Sequence, residues 1–451
     1  MNNTVFLPIE IVQREYIGKL LLSFKLLEKG MPVVIGHKSP VINLALKASE
    51  PGIFFYKSTM AGGMEEISSK LREKKFAIMA QDEETGIIFN DYEDFFKNRP
   101  SINALEQLDC FFTWGEEEYS FLTEKFKSNV VKNYGGLRAC MWGELGKKFY
   151  KNTIEKLNKK FGEYILICSN LATYNSFLKK KNLIKHLSQY RHFNLNEFEK
   201  TYNAEKKIFF QYLNLIELIS KRLNKKVIIR PHLVENIKNW EDKFKSSKNI
   251  FVEREGEILP WILASDYIIQ NNCTSAIEAS AADIPVITFA EEKKDLTILS
   301  KGKENIPNKL SLNVLGNSEF IEISEKINFL WNSEENKKKR KKLLKKKLKE
   351  YGTITAAEDI AQEIIRFTGE PNTGGNKKLG KDSILYDVIE FFRSNKFRPK
   401  TTSFIMDSNK RIKITYDKIK DDIEKLSLII KSNKKIKIKR IAPSTFYLSI
   451  L

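Results

Sequence analysis

Short runs of β-branched and aromatic residues recur along this chain, separated by longer stretches whose apolar positions fall three and four residues apart. Val5 to Ile9, Pro32 to Ile35, Ile53 to Tyr56, Phe76 to Met79 and Cys110 to Thr113 read as strands, and Arg14 to Glu28 and Met64 to Lys74 as helices between them. A second alternating block runs through Tyr164 to Ile167, Val227 to Ile229, Ile250 to Val252, Tyr267 to Ile269 and Val286 to Phe289. Its helices cover roughly Lys206 to Arg222 and Thr274 to Ala282. Strand and helix in alternation predict parallel sheets covered on both faces. The expectation is an α/β chain of two doubly wound, Rossmann-like domains joined near residue 155 and facing a cleft, where a ligand would sit.

The domains are drawn as 1–155, 156–368 and a basic C-terminal extension, 369–451, set off by the linker Gly369-Glu370-Pro371-Asn372-Thr373-Gly374-Gly375. Within the extension Tyr416 to Ser432 has a helical pattern and Lys435 to Ile441 alternates as a strand does, so a small α+β tail is expected. Residues 170–205, rich in Lys, Asn, Tyr and His, read as an insertion over the cleft.

Composition narrows the class. With 451 residues, 42% hydrophobic and 11% aromatic, the chain has material for more than one packed core. Its net charge of +20 comes largely from lysine runs such as Lys337-Lys338-Lys339-Arg340-Lys341-Lys342. That run reads as a solvated helix face with Leu343, Leu344 and Leu348 as its buried stripe. Such charge attracts anionic lipid, nucleic acid or nucleotide-linked substrates without choosing among them. Cys110, Cys140, Cys168 and Cys273 form no CxxC pair, which points to reduced thiols and away from a disulfide or zinc scaffold. The amino terminus lacks a cationic segment followed by a long apolar one, so no secretory leader is expected, and no apolar run approaches the length of a membrane span. A cytoplasmic location is expected, with any membrane contact peripheral, at the inner face.

Three segments carry candidate chemistry. Arg230-Pro231-His232 follows a buried strand, where a guanidinium and an imidazole can meet phosphate oxygens, and Glu235 stands one turn on. Asn272-Cys273-Thr274-Ser275 ends another strand and opens a helix. Its amides and hydroxyls converge on whatever lies above, Glu278 is placed for ribose hydroxyls, and Ser275 and Glu278 also have capping-box spacing. Asp82-Glu83-Glu84 follows a strand of the first block, and adjacent carboxyls at a sheet end can supply a general base or a nucleophile. Glu10, Arg14 and Glu15, at the first βα turn, and Arg138, in Tyr134-Gly135-Gly136-Leu137-Arg138, are candidate acceptor contacts; Ser58 to Gly63 could cradle an anion.

Pro8-Ile9-Glu10, Val12-Gln13-Arg14-Glu15, Lys19-Leu20-Leu21-Leu22, Asp82-Glu83-Glu84, Trp114-Gly115 and the Asn272 to Ala279 block, in that order, resemble bacterial surface carbohydrate biosynthesis glycosyltransferases. The resemblance spans about residues 5 to 365 and implies the GT-B architecture, with the sugar nucleotide held mainly by the second domain. The acidic pair, the histidine element and the Ser/Thr pair are also similar to those of bacterial sialyltransferases and Kdo transferases, which use CMP-activated donors. By that likeness Glu83 or Glu84 is the base or nucleophile, His232 assists the departing phosphate, Thr274 and Ser275 hold that phosphate, and Glu278 holds the ribose. The chain departs from the pattern at Leu233, where a proline is usual, at Gly136-Leu137 in place of Asn-Pro, and at Thr85 between the acids and Gly86.

The resulting expectation is a glycosyltransferase moving a sugar, a CMP-linked ulosonic acid such as Kdo or a sialic-like sugar, onto a glycan or lipid-linked acceptor. Neither a metal nor a bound cofactor is expected. The competing readings are a UDP-sugar transferase, a CDP-glycerol phosphotransferase, a UDP-GlcNAc 2-epimerase-like isomerase and a basic nucleic-acid-binding protein. The last is disfavoured, because the basic runs lack interleaved aromatics and no recognition motif accompanies them.

Overall fold

The computed structural model describes residues 4–58, 63–83, 86–88, 92–98, 102–126, 129–189, 193–300, 305–368 and 412–451. The chain divides into two compact units, the first built from the residues up to Phe149 together with those from Lys345 onward, the second from Tyr150–Leu344. This parts the chain differently from the sequence expectation of 1–155, 156–368 and a separate extension. After the second unit is complete, the polypeptide returns to the first.

The first unit holds strands β1 (Val5–Ile9), β2 (Val33–His37), β3 (Ile53–Tyr56), β4 (Ala77–Ala80), β5 (Cys110–Thr113) and β6 (Val131–Asn133). They lie parallel in the order β2-β1-β3-β4-β5-β6. The order reverses direction between β1 and β3, a switch point whose flanking helices leave a crevice at the strands' carboxyl ends. Phe6, Val34, Phe54, Ile78 and Phe111 share one buried cluster on this sheet. Each such side chain contributes roughly 1.5–3 kcal/mol when shut from water.

The second unit holds β7 (Tyr164–Cys168), β8 (Lys226–Arg230), β9 (Ile250–Val252), β10 (Tyr267–Gln270), β11 (Val286–Ala290) and β12 (Leu312–Leu315), in the order β12-β11-β10-β7-β8-β9. All pairings are parallel. This is the Rossmann order, with its switch point between β7 and β10. Successive residues alternate between two buried faces: Ile165 and Ile167 join one cluster, Tyr164, Leu166 and Cys168 the other. That two-sided burial is why these strands read as unbroken apolar runs.

Six helices matter below: α1 (Val12–Glu28), α2 (Leu195–Arg222), α3 (Ser275–Ala281), α4 (Glu334–Lys347), α5 (Thr355–Thr368) and α6 (Tyr416–Ile430). Part of residues 170–205, expected as an insertion, is instead the front of α2, which starts where Asn194 accepts a hydrogen bond from the Glu197 amide. Leu344 on α4 and Leu348 just past its end are buried as expected; Leu343 is half-buried. The described part of the extension is α+β in content, and it is built into the first unit. Its hairpin, β13 (Ile436–Ala442) and β14 (Thr445–Ile450), pairs antiparallel onto β2 and widens that sheet to eight strands. α5 packs on α1 in the same unit. Among the described residues no helix is long and apolar enough to cross a membrane.

Candidate functional site

In the first unit the carboxyl ends of β1, β3 and β4 gather an unusual density of buried charge. Glu15, on the first turn of α1, accepts hydrogen bonds from the amides of Glu10 and Ile11 (3.0 and 3.1 Å) and an ion pair from Lys19 one turn on (3.1 Å). Lys19 also donates to the Pro8 carbonyl at 2.6 Å. Lys57, beyond β3, reaches Glu10 at 3.1 Å and Glu15 at 3.6 Å, and Lys38 reaches Glu10 at 3.0 Å. These contacts fill Glu10 and Glu15, expected as acceptor contacts, with partners from the protein itself.

Glu83, beyond β4, completes this cluster. Its amide donates to the Lys57 carbonyl, and its Oε1 lies 4.0 Å from Lys19 Nζ. Among the described residues its Oε2 is buried with no hydrogen-bond partner. The backbone around it is clamped: the Trp114 indole donates to the Asp82 carbonyl, and Arg138 donates to the Glu83 carbonyl at 3.4 Å. Gln81 adds a two-way bond, donating to Gly135 O and accepting from Leu137 N. Gly136 is required here, since a Cβ would stand 2.3 Å from the Trp114 ring. Asp82 is buried beside Glu83, whereas Glu84 and the Thr59 to Gly62 part of the Ser58 loop lie outside the described residues.

The two central carboxyls are driven in opposite directions. Burial opposes ionisation of Glu15, but Lys19, Lys57 and the Glu10 amide outweigh it and hold the group below its ordinary range. For Glu83 burial prevails: reinforced by the neighbouring Glu15 charge, it raises the carboxyl despite Lys19, Arg138 and Arg14. Two carboxyls in one cluster with divergent environments are the arrangement that separates a proton-exchanging group from a permanently charged one. Burial likewise opposes charge on Glu10, and Lys57 and Lys38 outweigh it, bringing its pKa down to about 2. Lys57 and Gln81 were not singled out from sequence, and Lys19 entered only as part of the Lys19-Leu20-Leu21-Leu22 segment with no site role, because nothing local marks which of these side chains turns inward.

In the second unit the switch point is spanned by asparagines. Asn170, following β7, donates its amide to Asn271 Oδ1, and Asn271 Nδ2 donates back to the Asn170 carbonyl, both at 3.1 Å. Asn170 Nδ2 also donates to the Asn272 carbonyl. Asn272 has φ 52°, a left-handed conformation that asparagine tolerates. No glycine occurs between Gly162 and Gly256, so the glycine fingerprint by which many Rossmann domains meet pyrophosphate is missing after β7. Beside the asparagines a cavity is lined by Gln211, Thr288, Asp295 and Asn308, residues that lack a motif and were not anticipated.

The predicted donor residues fare unequally. His232 is exposed beyond β8 with its backbone pinned, its amide donating to Glu235 and its carbonyl accepting from Arg254. Thr274 is exposed and precedes α3 without a side-chain capping bond, so the capping box expected of Ser275 and Glu278 does not form. Ser275 and Glu278 are both buried. Two assignments are corrected. Glu235, expected to contact the donor, is buried and accepts from Ser169, the Leu171 and His232 amides, Asn175 and Trp240, which leaves no oxygen for a ligand. Arg230, expected on a phosphate, donates to the carbonyls of Glu255 and Gly256 and lies over the Trp261 ring at 4.9 Å, fixing the loop after β9. Burial lowers its pKa to about 10.

Among the described residues no group of three or more His, Cys, Asp or Glu is arranged to hold a metal ion. No protein-family model matches the chain, and no curated protein matches it in sequence. Solved structures similar to it include UDP-GlcNAc 2-epimerase from Methanocaldococcus jannaschii in complex with UDP-GlcNAc and UDP, at 14% identity, TM-score 0.49, covering 82% of this chain and 100% of that one. The epimerase from Neisseria meningitidis bound to UDP-GlcNAc shows 13% identity, TM-score 0.47, and coverage of 81% and 100%. The wall teichoic acid polymerase TagF shows 11% identity, TM-score 0.43, and coverage of 70% and 72%. The chain thus holds two doubly wound, Rossmann-like α/β domains, the second in the Rossmann strand order and the first a parallel sheet with an antiparallel hairpin on its edge, the make-up of GT-B proteins.

Proposed function

We propose that this chain is a glycosyltransferase of bacterial surface-glycan synthesis, taking its donor as a nucleotide sugar, CMP-linked by the resemblance, and its acceptor as a glycan or a lipid-linked glycan at the inner face of an anionic membrane. The observation that carries this reading is Glu83: a buried carboxyl at the end of β4, raised by burial, with one oxygen that accepts no hydrogen bond from the described residues. A group of that kind is costly to keep for structure alone and suits a general base.

In the proposed reaction Glu83 takes the proton of the acceptor hydroxyl as that oxygen bonds to the anomeric carbon. The bond from that carbon to the donor phosphate breaks, and its electron pair leaves with the nucleotide. His232 and Thr274, the exposed members of the donor set, offer a proton or hydrogen bond to the departing phosphate. Lys19 and Glu15 position Glu83 and set its charge balance.

The test is incubation of the purified protein with CMP-, UDP- and CDP-linked donors, with and without acceptor, following nucleotide release. Acceptor-dependent CMP release, reduced by roughly a hundredfold or more in Glu83→Gln, with the nucleotide's thermal shift retained, is the expected result. Conversion of UDP-GlcNAc to an epimer without acceptor would make the protein an isomerase. Transfer of glycerophosphate from CDP-glycerol would make it a phosphotransferase, and full activity in Glu83→Gln would remove the base.

A further inference from the structure

α6 buries Ile419, Asp422, Ile423 and Leu426, one helical face, and packs on α1 and on the short helix Glu144–Phe149. At 100° per residue Leu428 falls on the side opposite that face, and it is 79% exposed. The helix stops at Lys431, in a left-handed conformation, and the chain doubles back at once: the Ser432 amide donates to the Ser427 carbonyl, and Ser427 Oγ to the Ser432 carbonyl. Three residues on, the Lys435 carbonyl accepts from the amide of Leu451, whose side chain is 74% exposed. The end of the helix and the open end of the hairpin therefore form one corner with leucines projecting from it.

Beyond the last turn of α6 the charges of this corner are cationic, whereas one turn back on the Leu428 face Glu424 is exposed and lies 3.9 Å from Lys420. Lys431, Lys434, Lys435 and Lys437 are exposed, and from Lys425 to Leu451 the sequence contains no Asp or Glu. An isolated exposed leucine needs no explanation, but exposed leucines followed closely by a run of exposed lysines match a particular partner: lysines meet anionic headgroups while leucine enters the acyl boundary. A second copy of the chain is a poor fit, because lysines on the outer strand β13 repel another edge. The lysine-rich α4 lacks the apolar half of the pattern, with Leu344 and Leu348 buried and Leu343 half-buried among its charges.

We propose that this corner, formed by the end of α6 and the open end of the β13–β14 hairpin, docks the protein on an anionic bilayer. It needs no catalytic turnover, so lipid binding and the transferase reading fail separately.

The experiment is flotation of the full chain with vesicles of phosphatidylcholine alone and with about 30% phosphatidylglycerol added, at low and high salt. The expected result is at least about tenfold greater retention on the anionic vesicles, collapsing in high salt. Leu428→Ser and, separately, Lys434→Glu/Lys435→Glu/Lys437→Glu should each cut that retention about tenfold, with thermal unfolding unchanged. All four positions are exposed, and if the triple variant unfolds, Leu428→Ser and the salt series decide. Equal retention on neutral vesicles, unchanged retention in the variants, or loss only when Lys338, Lys339, Lys341 and Lys342 of α4 are reversed would overturn the proposal. So would preferential capture of duplex DNA, or lipid-free self-association that Leu428→Ser abolishes.

Discussion

Glu83 Oε1 and Lys19 Nζ stand 4.0 Å apart, the lysine fully buried and the carboxyl nearly so, while the same ammonium binds Glu15 at 3.1 Å. One buried cation thus answers to two carboxyls, and its position decides which of them stays charged. Lys19→Met leaves the buried Glu15 with Lys57 at 3.6 Å and takes from Glu83 the ammonium at 4.0 Å, at an expected cost of about 3 kcal/mol. In urea titrations the double variant Glu15→Gln/Lys19→Met should lose less than the sum of the single changes. Additive losses would show that the pair is not coupled.

The loop that holds Glu83's neighbours depends on a bare backbone. A methyl at Gly136 would meet the Trp114 ring, whose indole holds the Asp82 carbonyl. Gly136→Ala should destabilise the first unit by about 1–3 kcal/mol through overpacking, with quenching or shift of tryptophan fluorescence as the readout. A wild-type unfolding curve would contradict that close approach.

Glu205 offers a pH test in the second unit. Its carboxylate accepts the Thr173 and Tyr174 amides, yet burial dominates and raises its pKa to about 7. A carboxyl raised on folding binds its proton more tightly in the folded state. Its penalty is absent below about pH 4.5 and grows as pH rises toward 7, reaching roughly 3 kcal/mol above that. Glu205→Gln can keep accepting both amides and should therefore stabilise the protein above pH 7 while leaving it unchanged near pH 4. Equal stability of the two proteins at pH 8 would refute this.

The opposite sign holds for Glu10, whose pKa falls to about 2 because Lys57 and Lys38 outweigh burial. Its contribution is present above about pH 4.5 and disappears as pH falls through 2. Since the group is partly solvated, its screened worth is about 1 kcal/mol. Glu10→Gln should show that deficit at pH 7 and approach the wild type near pH 2, as measured by thermal melts across the range. A deficit independent of pH would mean the effect is packing, not charge.

Strand positions were legible along the chain because burial on both faces leaves a local mark. Val5–Ile9, Ile53–Tyr56, Cys110–Thr113 and Ile250–Val252 sit where their apolar runs put them, and the others shift by a residue or so. β12, β14 and α5 were not anticipated; β12 and β14 are partly exposed, and α5 follows a charge-dense stretch that masks its period. At the site the sequence located the loops, but not which side chains each loop turns inward. Glu235 has the spacing of a ligand contact and the surroundings of a structural hub, with five donors drawn from residues as distant as Ser169 and Trp240.

What the amino-acid order determined by itself is the periodicity that makes two doubly wound sheets and places polar residues at their strand ends, since side-chain alternation and helical spacing are local properties. Tertiary structure alone decided that β14 pairs with β2 across some four hundred residues, that Lys19 is shared by Glu15 and Glu83, and that Arg230 is bound to carbonyls. The reason is physical: the cost of burying a charge and the choice of a strand's neighbour depend on groups brought together by folding, and those groups leave no trace in the residues beside them.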